Sequence, residues 1–222
     1  MSPMKYFARN FCVLAFVVST LSVKAAQQVE TTYIAESPQQ FGLDLFYVPI
    51  SYPKYTWVNN ETTDRNGHAF HLAFEWMPID PTYGKLGLGL GVGLHVIKNV
   101  DFRGTNATLT VIPMDAFLTY RFDYLYQQIL VPYLKFGPNI SMAKQRGIEK
   151  SGFQIYYGWE MGGGLELCLN PIDRSSGRYL DMKTGINTTY LMIEYVNSKQ
   201  LGVKRTPDLS HDEIRFGLRF EI

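Results

Sequence analysis

The chain of 222 residues carries 21 Lys and Arg against 20 Asp and Glu, for a formal net charge of +1, and its mean hydropathy is −0.10. That balance leaves no basic footprint for a nucleic acid, near-neutral hydropathy is foreign to a bundle of membrane helices, and two cysteines, Cys12 and Cys168, cannot build a disulfide framework. Aromatic residues are plentiful, with 15 Tyr, 14 Phe and 3 Trp, which suits a barrel whose strands are apolar on one side only.

Residues 1–25 read as a secretory leader. Lys5 and Arg9 give the positive start, Phe11 to Val23 the apolar stretch, and Val23-Lys24-Ala25 a small-residue site, with cleavage expected after Ala25. The apolar stretch is shorter than a membrane-spanning helix requires. Losing Lys5, Arg9 and Lys24 leaves 18 basic against 20 acidic groups, with Cys168 as the remaining thiol. Residues 26–222 are expected to form one domain, since barrels commonly reach this size as a single unit.

From Phe41 to Tyr47, Phe41, Leu43, Leu45 and Tyr47 alternate with Gly42 and Asp44, a first strand. Between His68 and Pro78, Phe70, Leu72, Phe74 and Trp76 fall on one face and Ala69, His71, Ala73 and Glu75 on the other. A turn at residues 79–84 leads into the most regular run. There Leu86, Leu88, Leu90, Val92, Leu94 and Val96 oppose Gly87, Gly89, Gly91, Gly93 and His95. Four glycines on one face of a strand mean that other groups crowd that face, as inside a narrow closed barrel. A phosphate-binding glycine loop needs a turn before a helix, which strict alternation does not offer.

Further along, Ile112, Met114, Ala116, Leu118, Tyr120 and Phe122 oppose Asp115, Phe117, Thr119, Arg121 and Asp123. Leu134, Phe136, Pro138, Ile140 and Met142 oppose Tyr133, Lys135, Gly137, Asn139 and Ser141, with Pro138 expected to break a ladder bond or to mark a bulge. From Gly152 to Leu169, Phe153, Ile155, Tyr157, Trp159, Met161, Gly163, Leu165, Leu167 and Leu169 oppose Gln154, Tyr156, Gly158, Glu160, Gly162, Gly164, Glu166 and Cys168. Leu191, Ile193 and Tyr195 oppose Tyr190, Met192 and Glu194. The last strand sets Ile214, Phe216, Leu218, Phe220 and Ile222 against Glu213, Arg215, Gly217, Arg219 and Glu221. Eight strands result.

A soluble sandwich or a lipocalin-like barrel would also alternate, with the apolar face inward. The second face decides between them. It mixes Asp44, Glu75, Asp115, Glu160, Glu166 and Glu194 with Arg121, Lys135, Arg215, Arg219 and glycine, on strands long enough to cross a bilayer. Charges of both signs in a closed lumen predict an interior tied by ion pairs. The expectation is an all-β, single antiparallel transmembrane barrel of eight strands, with both termini periplasmic because the strand number is even. Connections near residues 50–67, 99–105, 144–151 and 199–211 then face outward. Those near 78–84, 123–131 and 170–187 face the periplasm, the last being long for such a turn. Trp76, Tyr120, Phe122, Tyr124 and Tyr126 would form an interfacial girdle at the periplasmic end.

The segments Ile112-Pro113-Met114, Tyr120 to Leu125, Val131 to Gly137, Gly185 to Leu191 and the closing Phe216 to Ile222, in that order across residues 68–222, resemble a family of small outer-membrane β-barrels of the myxobacterial type. The resemblance implies a single outer-membrane barrel of uncharacterised role, with no catalytic residues to carry over.

The four histidines, His68, His71, His95 and His211, map toward the outward end, with His71 and His95 on the lumen side of neighbouring strands. Isolated histidines at a polar rim are expected, rather than a metal site. Glu160 and Glu166, on one strand, stand about 20 Å apart by the strand rise, too far for concerted acid and base work. No catalytic, cofactor-binding or metal-binding set is assigned. Three roles are open: a barrel with a mostly filled polar lumen, acting structurally or through its outer loops; a narrow channel for small or apolar solutes; and a lipid-modifying hydrolase built around the outward His68. The first is expected. Its partners would be outer-membrane lipid and lipopolysaccharide, and the barrel-assembly machinery through the C-terminal strand, with the protein a monomer.

Overall fold

The computed structural model describes residues 40–52, 66–79, 84–100, 106–124, 128–146, 153–172, 174–201 and 208–222. Residues 1–25, Tyr126 and the tips of the outward connections lie outside them. The described chain forms β1 (Phe41–Ser51), β2 (Asn66–Ile79), β3 (Lys85–Val100), β4 (Asn106–Arg121), β5 (Leu130–Arg146), β6 (Phe153–Cys168), α1 (Arg174–Thr184), β7 (Thr188–Gln200) and β8 (His211–Glu221). Each strand pairs antiparallel with its chain neighbours and β8 returns to β1, closing the barrel. Phe41 and Ile222 exchange backbone hydrogen bonds of 3.2 and 2.9 Å, so both ends of the barrel wall meet at one rim.

Alternation settles which side faces the lumen. Phe70, Leu72, Phe74, Trp76, Leu88, Leu90, Val92, Leu94, Leu134, Phe136, Ile193 and Phe216 stand exposed on the outer wall. Asp44, His71, Glu75, Asp115, Arg121, Lys135, Glu160, Glu166, Glu194, Arg215 and Arg219 are buried inside. An apolar belt of this extent in water would be an aggregation surface. On strands of 11 to 17 residues it is the lipid-facing surface of a bilayer-spanning wall. At the rim that holds the termini, Trp76 and Tyr124 are exposed and Tyr120 meets Phe122 edge to face at 4.9 Å, as an interfacial girdle requires.

The glycines of β3 make room for neighbouring bulk. A Cβ on Gly89 would enter the ring of Phe117, and one on Gly91 would lie 2.6 to 2.7 Å from His71 Cε1 and both carboxylate oxygens of Asp115. The prolines perturb the ladder locally. Pro78 sits where the β2–β3 register slips by one between Trp76 and Ile79. Pro138 keeps its partner Trp159 on β6, and no pairing spans Ala116–Phe117 on β4 opposite it, with the register unchanged. The ladder is interrupted there without a bulge.

The long connection between β6 and β7 holds α1, where the sequence predicts only a long turn. Gly185, at φ +74°, ends the helix, its N–H donating to Asp181 O at 2.9 Å. Asn170 anchors the connection, donating to Asn187 O at 2.8 Å and accepting from Thr189 N–H at 3.1 Å.

Candidate functional site

The lumen is the candidate site, and it divides into three layers. Nearest the rim with the termini, Arg219 donates to Asp44 at 3.2 Å and pairs with Glu75 at 2.6 Å and Glu221 at 3.4 Å, while Arg121 pairs with Glu166 and Glu221. Lys85 reaches Asp123 at 3.2 Å. Met77 Sδ lies 3.4 Å from Arg121 Nη1 and 3.3 Å from Arg219 Nη2, and Arg121 stacks over Tyr190 at 5.3 Å. In the middle, Lys135 bridges Glu160 at 3.2 Å and Glu194 at 2.9 Å, and Arg215 binds Glu160 at 3.2 Å and Glu213 at 2.5 Å. Fully buried charge of this density is tolerable only because each ion has opposite charge in contact.

The third layer differs from the expected polar lumen. Toward the other rim Val48, Ile50, Ala69, Ile97, Leu109, Val111, Ala143 and Leu209 form a buried apolar cluster inside the barrel. On β4 the inward residues here are Leu109 and Val111 and the alternate positions are Thr108 and Thr110, so the polarity of the two faces reverses below Ile112. The lumen is therefore charged through two layers and largely apolar in the third, where His95 sits beside Ala69 and Val111. A void of about 10 Å³ lies among Asp44, Glu75, Phe117, Tyr133 and Lys135, room for a single water.

The histidines part company. His68 points outward and its Nδ1 lies 2.6 Å from Tyr47 Oη. His71 Nε2 faces Asp115 Oδ1 at 2.7 Å. His95 lies inside as expected, but its Nδ1 is 2.6 Å from Tyr52 Oη, and the histidine ring set against it is that of His211, with centroids 6.2 Å apart at 89°. His211 Nδ1 donates to Leu209 O at 2.8 Å and its Nε2 faces Glu213 Oε2 at 3.1 Å. Glu213 takes the inward position that alternation gives it on the last strand, and Tyr52 is the member of this group that alternation does not reach. Tyr52 lies just past the end of β1, where alternation stops. Glu160 and Glu166 belong to different layers, as their spacing implied.

No protein-family model matches the chain, and no curated protein sequence does. Solved structures do. The outer membrane protein OprG of Pseudomonas aeruginosa is similar with a TM-score of 0.52 at 12% identity, over 86% of this chain and 99% of that one. Ail, the attachment invasion locus protein of Yersinia pestis, gives 0.50 at 11% identity, over 84% of this chain and all of that one. The outer membrane enzyme PagL gives 0.44 at 12% identity, over 81% of this chain and 98% of that one. The closed wall, its greasy exterior and the likenesses to OprG and Ail converge: the chain has the fold of the small eight-stranded outer-membrane β-barrels.

Proposed function

We propose that this protein is exported by its leader at residues 1–25, inserted in the outer membrane with its termini in the periplasm, and acts there as a non-conducting barrel through its outward connections. The filled lumen carries this reading. Two tiers of ion pairs and a largely apolar tier fill the axis among the described residues, and the void among Asp44, Glu75, Phe117, Tyr133 and Lys135 has room for about one water. Eight strands enclose an interior just wide enough for such side chains. A barrel without an axial path contributes through its outer wall and loops, which contact lipid and lipopolysaccharide. The narrower kinship with myxobacterial-type barrels rests on the sequence motifs from Ile112 to Ile222. We further assign β8 as the strand presented to the assembly machinery, and the protein as a monomer.

Planar bilayers test this directly. The refolded chain should add no discrete current steps, and resolved unitary conductance would overturn the reading in favour of a channel. Mass spectrometry of lipid A from cells with and without the protein should show identical species. Loss of an acyl chain would instead move the assignment to a hydrolase centred on His68.

A further inference from the structure

We propose that His95, His211 and Glu213 form a binding site for one divalent transition-metal ion of the zinc type, set just inside the rim opposite the termini. One ring nitrogen of each histidine and one carboxylate oxygen of Glu213 lie within 4.8 Å of one another. Two imidazoles and a carboxylate are a common donor set for such ions, with open positions left for water.

Two further observations point to a cation. The first is at His211. Leu209 O can only accept, so Nδ1 of His211 carries a proton and donates it. A neutral ring then presents a lone pair at Nε2, yet that atom faces Glu213 Oε2 at 3.1 Å. Two lone pairs held that close need a positive charge between them, either a second proton or a metal ion. The second observation is at His95, which is 1% exposed and whose Nε2 has no hydrogen-bond partner. When Nδ1–H donates to Tyr52 Oη, Nε2 is left as a lone pair, the orientation in which a neighbouring hydroxyl fixes a ligating histidine. Drawing the three ligands onto an ion at about 2.0–2.2 Å asks for a small inward shift of each.

The place in the fold gives the ion a task. β1 and β8 pair only from Gly42–Glu221 to Tyr47–Phe216, so above that point the closing ladder is open. His211 and Glu213 lie on the part of β8 that pairs with β7 and no longer with β1, His95 comes from β3, and Tyr52 follows β1 and packs edge to face on His211 at 4.6 Å. An ion here clamps β8 to β3 across the lumen where the β1–β8 pairing has stopped. Arg215 holds the other oxygen of Glu213 at 2.5 Å and leaves Oε2 as the ligand atom.

The test uses the full chain folded in detergent micelles, stripped with a chelator and titrated with Zn²⁺ by calorimetry, with the visible absorption of bound Co²⁺ as a second readout. Wild type should take one equivalent. Affinity should fall by more than about tenfold in His211→Ala and Glu213→Gln and by about tenfold in Tyr52→Phe, with His68→Ala unchanged. Zn²⁺ should raise the thermal midpoint of wild type and not of His211→Ala. Faster migration before boiling than after it confirms that each variant is closed. If folded wild type takes up no stoichiometric metal, or if binding survives His211→Ala and Glu213→Gln together, a proton bridges these groups and the proposal falls. Neither result bears on whether the lumen conducts.

Discussion

Arg219 shows what a single buried ion does here. Its guanidinium touches Asp44 and Glu75 and lies 3.4 Å from Glu221, with 2% of the side chain exposed. Truncation would leave carboxylates buried without their shared cation, a change that costs about 3–5 kcal/mol for a buried pair. Arg219→Ala should therefore lower stability by that order in urea unfolding followed by Trp fluorescence. Lys199→Ala, which removes an exposed ammonium lying 5.3 Å above Trp159, should cost no more than about 1 kcal/mol. That Arg219 points inward was legible from its alternation with Phe216, Leu218 and Phe220. Its partner was not, because Asp44 lies 175 residues away and only closure of the ring brings β8 beside β1. Pairing inside a barrel depends on shear and tilt, which hydrophobic period does not encode.

At the scale of elements, two glycines in different surroundings separate two roles. A Cβ on Gly137 would strike the backbone carbonyl of Ala116 and lie 2.7 Å from Phe117 Cα, at the point where Pro138 interrupts the ladder. On Gly177, within α1, it would meet nothing nearer than Asn170 at 3.6 Å. Gly137→Ala should thus destabilise the barrel by about 1–3 kcal/mol, whereas Gly177→Ala should stabilise α1 by about 0.5–1 kcal/mol. Unfolding curves for the wall and helical circular dichroism for α1 would check the pair. All eight strands were readable where outward residues are greasy and inward ones polar or small. Their upper ends were not, since β4 begins at Asn106 and the sequence reading starts it at Ile112. There Leu109 and Val111 point inward between threonines, and the pattern that marks a lipid-facing wall inverts. α1 is not legible for a different reason: its eleven residues include Gly177 and two serines, so propensity is weak.

For the molecule as a whole, the decisive inference was which face looks outward. Alternation alone serves a soluble sandwich equally well; the charged second face excluded it, and the observed burial of Arg121, Arg215 and Arg219 against the exposure of Leu88, Leu90 and Phe216 agrees. A closed wall of this kind should migrate faster on gels before boiling than after it. Identical mobility in both states would contradict ring closure in lipid or detergent.

The short ladder between the first and last strands also sets an order of events. Every other seam joins neighbours in sequence, but this one must bring Phe41 and Ile222 together across the whole chain, and contacts of such separation form late. The hem should be the final stitch when the protein enters the membrane and the first to come undone when it leaves. Amide exchange at Leu43–Tyr47 and Phe216–Phe220 should accordingly outpace that of the long β5–β6 ladder, and slower exchange at the hem would show that the wall parts elsewhere.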